Sequence, residues 1–287
     1  MLELGLIVDW RGELEAHLDE GRVHPPGGPG VPLWELNLVG IRSDLLPSGP
    51  LALQFYEGFP TPFLDEHYHT PTPPWDRQHL PRRLGYDLAR PYGPNPLPTR
   101  VSNWLEADHH SVTLRTTITN EGSAIIDEIG LGPCLAFRHC PEMFDDTGER
   151  MFFRHEGRWK NWTQLRRYVH AGWWERVQHF DVAGKPSHAV DRPDGYRGQW
   201  GTSPDRLDVS LAARVHPRTG LAVGIAFDRS HSAAGNCNPS HYCIHSYGLV
   251  SDLCPGETRT RTGRIFFCEG GLDELWERYQ QELPTLI

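Results

Sequence analysis

The chain has 287 residues, with 28 Lys and Arg against 37 Asp and Glu, for a formal net charge of −9 at pH 7. That balance argues against a nucleic-acid partner, which needs clustered cations to neutralise phosphates, and no apolar run approaches the 18 residues of a membrane-spanning helix. With 29 Gly and 25 Pro the composition is not that of a helical bundle, and 10 Trp, 9 Tyr and 11 Phe exclude a low-complexity disordered chain.

Period-2 alternation of apolar residues is the commonest regular signal, and it predicts strands from end to end. The first are expected over 4–10, 34–41 and 51–57, with a short helix over 13–20 and a Pro/Gly loop over 24–32. Residues 59–98 carry ten prolines and little strand pattern. A strand over 100–105 follows. Val112, Leu114, Thr116 and Ile118 then alternate, and Asn120-Glu121-Gly122 turns the chain towards Ala124-Ile125-Ile126, predicting a hairpin. Further strands are expected over 134–138, 150–154 and 176–182. The second hairpin is predicted from Leu207, Val209, Leu211, Ala213 and Val215, a turn over 216–220, and a return over 221–227. Residues 228–241 read as a third irregular stretch, followed by strands over 242–250 and 258–267. A C-terminal helix places Leu272, Leu275, Tyr279 and Leu283 on one face before Pro284 stops it. With no internal repeat and no strong boundary, the expectation is all-β: one antiparallel β-sandwich domain over 1–287 with long loops and a short C-terminal helix.

The chemistry-bearing residues fall in the loops and at strand ends. In an extended segment His67 and His69 point the same way, beside Glu66, at a spacing suited to two ligands of one divalent ion. Arg138 and His139 sit at a strand end, where a rigid scaffold presents functional groups. Trp75, Trp159 and Trp200 offer flat faces for a sugar ring. The densest stretch runs from Asp228 to Ser246. If residues 240 onward are extended, His241, Cys243 and His245 share one face while Tyr242 and Ile244 take the core side. The preceding stretch supplies Arg229, His231, Asn236 and Asn238. On this reading His241, His245, His139 and His231 are catalytic, and Arg138, Arg229, Asn236, Asn238 and the three tryptophans bind substrate. A metal, if one is used, falls to His67, His69 and Glu66.

Six cysteines occur at 134, 140, 237, 243, 254 and 268 without a CxxC pair, so no zinc-finger spacing is present. With no signal peptide visible at the start, free thiols in the cytoplasm are expected. There is no P-loop, no GxGxxG after a strand and no GxSxG.

The segment from Cys254 to Phe267 resembles the closing strands of galactose-mutarotase-like β-sandwiches, and the 112–130 segment fits the same picture. That fold is shared by sugar epimerases, several polysaccharide lyases and some glycoside hydrolases. The resemblance implies a carbohydrate-active enzyme of lyase, hydrolase or epimerase type. Joined to the 16 histidines, it predicts imidazole acid–base chemistry on a sugar or uronic acid in a cleft on a sheet, with or without one divalent metal ion. The expected partner is a small-molecule or oligosaccharide substrate, with no nucleic acid and no membrane; the oligomeric state stays open. Two rivals stand beside it: a non-catalytic carbohydrate-binding module, and a cupin-like metal-dependent enzyme suggested by His67-Tyr68-His69, which lacks the Glu that cupins place four or five residues later.

Overall fold

Alternating apolar residues need a partner surface, and in this chain two sheets supply it to each other. The computed structural model describes residues 1–6, 38–55, 75–88, 97–167, 176–185, 196–197, 200–239 and 242–283. In chain order the strands are β1 (Leu2–Leu6), β2 (Leu38–Ser43), β3 (Leu51–Gln54), β4 (Arg83–Leu88), β5 (Thr99–Ala107) and β6 (Ser111–Asn120). The next are β7 (Ile126–Leu131), β8 (Cys134–Ala136), β9 (Met151–His155), β10 (Arg158–Asn161), β11 (Val177–Asp181), β12 (Tyr196–Arg197) and β13 (Trp200–Gly201). The last are β14 (Leu211–Val215), β15 (Ala222–Phe227), β16 (Ser230–Asn236), β17 (Cys243–Leu253) and β18 (Thr258–Cys268), followed by the helix α1 (Gly271–Glu282).

Two eight-stranded antiparallel sheets face each other. The first runs β1-β2-β3-β8-β17-β16-β11, with β7 also paired to β17; the second runs β10-β9-β14-β15-β18-β6-β5-β4. One continuous core lies between them, with Leu53, Leu135, Phe180 and Ile244 from the first sheet and Leu105, Leu114, Phe153 and Ile265 from the second. The outer face of the second sheet is covered by α1. Leu275, Tyr279 and Leu283 pack there on Leu211, Ala213, Ala226 and Phe266. Gly224 in β15 permits that approach, because a Cβ at this position would lie 2.8 Å from the Leu275 methyls.

The structure corrects three sequence expectations. Residues 112–126 do not form a hairpin. β6 is flanked by β5 and β18 on both sides, so it has no free edge, and β7 crosses to the first sheet to pair with β17. Half of the stretch over 228–241 is not a loop: it holds β16, which lies between β11 and β17. The Pro-rich stretch over 59–98 contains β4, whose pairing with β5 depends on its alternating Leu84, Tyr86 and Leu88. The predicted hairpin over 207–227 is present as β14 and β15, with only Leu211–Val215 of its first arm in the ladder. The helix expected over 13–20 and the loop over 24–32 lie outside the described residues.

Candidate active site

With α1 on the second sheet, the chemistry gathers on the outer face of the first. Paired residues in antiparallel strands point to the same side. Phe180, Ala233 and Ile244 face the core, so His179 and Asp181 of β11, Ser232 and Ala234 of β16, and Cys243, His245 and Tyr247 of β17 share the outer side. Ala234 is the register partner of both His179 and His245, and Ser232 of both Asp181 and Tyr247. The middle strand therefore carries only small side chains here, between larger groups on its two neighbours.

Tyr247 leans across that gap. Its ring stacks on His179 at 5.0 Å between centroids, and its hydroxyl lies 3.4 Å from His179 Nε2. His245 lies parallel to the same ring at 5.6 Å, and His231 approaches it at 6.1 Å. His231 reaches the group because the β16–β17 register shifts between Ser230 and Ser232, and such a bulge re-aims a side chain. Gly132 gives the tyrosine its room: a Cβ there would sit 2.8 Å from Tyr247 Cε1. Asp181 is buried and its Oδ2 takes a 2.9 Å hydrogen bond from Arg206 Nη1.

His245 is fully enclosed at 0 % exposure, and its Nε2 is 3.1 Å from Cys243 Sγ. Cys134 on β8 completes a group in which one ligand atom from each of Cys134, Cys243 and His245 lies within 4.8 Å of the others. None of the six cysteines forms a disulfide.

Of the residues singled out in the sequence, His231 and His245 come together. His241 lies outside the described residues, as do His67, His69 and Glu66. Alternation cannot be carried back from β17 to His241, because Tyr242 has φ +46° and breaks the extended run. Arg138 and His139 follow β8 and are half-buried. Asn236 and Asn238 are both buried, and the Asn238 amide donates to Asn236 Oδ1 at 2.7 Å.

Three of the residues assigned to substrate binding lie away from this group. Arg229 is exposed at the far end of β16, beside Asp228 and Arg261. Trp75 packs edge-on against Tyr86 at 5.0 Å, on the second sheet's side of the core. Trp159 belongs to β10 in the second sheet and packs in the cluster beneath α1, with Arg154 over its ring at 5.5 Å. Both tryptophans are half-buried and pack against protein. Trp200 lies in β13, paired with Arg197.

Sequence reasoning missed His179, Asp181, Tyr247 and Cys134. For β11 the signal was available: a strand was expected over 176–182, and alternation already puts His179 and Asp181 on one face. Cys134 could not be found that way, since its neighbours lie more than a hundred residues further along the chain.

No protein-family model and no curated relative matches the sequence. Among solved structures, the chain is similar to a candidate aldose 1-epimerase from Escherichia coli K12 (12% identity, 81% of this chain and 96% of that one, TM-score 0.42). It is also similar to a galactose mutarotase related enzyme from Lactobacillus acidophilus (9%, 82% and 91%, TM-score 0.45). A third is a galactose mutarotase-like protein from Lactobacillus casei ATCC 334 (10%, 70% and 74%, TM-score 0.39). At such identities and scores the likeness assigns neither an activity nor a residue role. No helix among the described residues is long and apolar enough to cross a membrane.

Proposed function

We propose that this chain is a carbohydrate-active enzyme of the epimerase type, a single domain that moves protons on a small sugar at the outer face of the first sheet. The observation behind it is the cluster of His179, His231 and His245 around Tyr247, set on a sheet whose other face is apolar core. Imidazole exchanges protons near neutral pH. Interconverting the anomers of an aldose needs one group to take the proton from the anomeric hydroxyl and another to give one to the ring oxygen; the ring opens, the C1–C2 bond turns, and the ring recloses. Proton count is conserved and no oxidant is consumed. His179 on β11 and His231 on β16, both against the Tyr247 ring, are the pair we assign to these transfers. Tyr247 orients His179 through its hydroxyl. His245 stands against Tyr247 and acts through it as a positioning residue. Arg138 and His139 are assigned to substrate hydroxyls at the end of β8.

The test is anomer exchange followed by NMR over a panel of hexoses and pentoses. The wild-type chain should exceed the spontaneous rate, and His179→Asn and His231→Asn should each lower kcat about 10²-fold or more, as loss of a general acid or base does, with the melting temperature unchanged. No exchange above background with any sugar of the panel, or full activity in both variants, overturns the assignment.

A further inference from the structure

We propose that Cys134, Cys243 and His245 form a zinc site, a binding function separate from the proton transfers assigned to His179 and His231. The register brings the three together. Cys243 pairs with Ala136 and Ile244 with Leu135, so the next pair along the two strands is His245 with Cys134. Leu135 and Ile244 face the core, which leaves both sulfurs and the imidazole on the outer side. All three residues are buried, and their ligand atoms lie within 4.8 Å of one another.

Zinc bonds thiolate sulfur at about 2.3 Å and imidazole nitrogen at about 2.0 Å, which puts tetrahedral ligand atoms roughly 3.5 Å apart. The 3.1 Å from Cys243 Sγ to His245 Nε2 needs only a small side-chain rotation to reach that spacing. Two sulfurs and one nitrogen select a thiophilic ion over magnesium or calcium. On binding, the two thiols give their protons to solvent, and the two thiolates balance the dication, so the buried complex is neutral. Cys134 and Cys243 cluster with Ala52 and Ala136, whose small side chains crowd the sulfurs little.

Asn236 is a second, independent observation. It follows Gly235, the partner of Ile244, so its register position is opposite Cys243. It is only 1 % exposed, and its Nδ2 has no hydrogen-bond partner among the described residues. A buried amide donor there suits a thiolate sulfur or the oxygen of a metal-bound water. Three protein ligands plus one open position is the ligand set of zinc sites that do chemistry rather than of closed structural ones.

The experiment uses the full chain without an affinity tag, stripped with chelator and reloaded. Native mass spectrometry should find one zinc per chain. Cobalt substituted for zinc should give a sulfur-to-cobalt charge-transfer band and the visible bands of a tetrahedral ion. Cys134→Ser and Cys243→Ser should each weaken zinc binding by about 10²-fold or more, beyond the loss that an outer-shell change gives, while Cys254→Ser, at an exposed thiol, leaves it unchanged. Should the serine variants fail to fold, the wild-type cobalt spectrum decides alone. No stoichiometric zinc, zinc taken up without thiolate bands, or tight zinc binding by the folded double serine variant overturns the proposal.

Discussion

His216 and Glu142 show how one imidazole can be fixed without any part in chemistry. His216 Nδ1 accepts the amides of Arg218 and Thr219, each at 3.1 Å, so its ring proton sits on Nε2, 3.5 Å from Glu142 Oε2. The other carboxylate oxygen accepts the Ser48 amide at 3.1 Å and the Ser48 hydroxyl at 2.9 Å. Burial pushes the Glu142 carboxyl up, but the Ser48 and His216 hydrogen bonds outweigh it and hold the group below the usual carboxylate range. A carboxyl whose folded pKa is depressed stabilises the fold above its unfolded value and loses that contribution as pH falls through the folded one. Stability from Glu142 is therefore complete above about pH 4.5 and drains away below it. Urea unfolding at pH 7, 5, 4 and 3 should show Glu142→Gln less stable than wild type at pH 7, with the gap closing towards pH 3. A gap that stays constant would mean the carboxyl's charge does nothing for the fold.

At the scale of elements, the docking of α1 includes a close contact between Leu275 and Gly224. Leu275 is 0 % exposed, and Leu275→Ala should cost about 2–5 kcal/mol, the range for emptying a buried leucine site. Gly224→Ala should cost about 1–3 kcal/mol by overpacking against the same methyls. The two defects are complementary, so the double variant should be more stable than the sum predicts, by about 0.5–3 kcal/mol in a double-mutant cycle of chemical denaturation. Additive losses would show that the helix yields as a whole.

This helix and the β14–β15 hairpin were legible in the sequence because their apolar residues carry the period of the element and their turns are marked by Gly220 and Pro284. β16 was not. Ser-His-Ser-Ala-Ala-Gly-Asn has no β-branched or aromatic residue, and its place as a central strand comes from β11 and β17 on either side. The site shared that fate. His179 and His245 lie opposite the same alanine, but only the register of three strands says so, with β11 far upstream of β16 and β17. Trp75 and Trp159 show the converse: an aromatic ring looks the same in sequence whether a substrate or a protein side chain lies against it.

At the scale of the whole molecule, Arg214 ties the two sheets together behind the proposed site. It belongs to β14 in the second sheet and is 1 % exposed. Its Nη1 donates to the Met143 carbonyl at 3.1 Å and its Nη2 to the Asn236 carbonyl at 3.0 Å, at the end of β16 in the first sheet. The guanidinium lies over the rings of Phe137 and Tyr242 at 5.3 and 5.6 Å. Burial pulls its pKa below the usual arginine value, an effect that Cys237 and Asp145 oppose, yet arginine keeps its charge in a folded protein. A fork with two donors is what spans both carbonyls, and lysine, a point charge on a flexible stem, cannot do the same. Arg214→Met should leave two buried carbonyls unsatisfied, at about 1–3 kcal/mol each. Arg214→Lys should recover only part of that. Hydrogen exchange places the effect: amides of β16 and Cys237, which donates to the Arg176 carbonyl, should exchange faster in both variants, while β5 and β6, remote in the second sheet, keep their protection unless the protein unfolds globally. Because β16 is the central strand of the proposed site, anomer exchange should fall in step with its loss of protection. Full stability in Arg214→Lys would mean that charge alone, and not the two-carbonyl fork, joins the sheets.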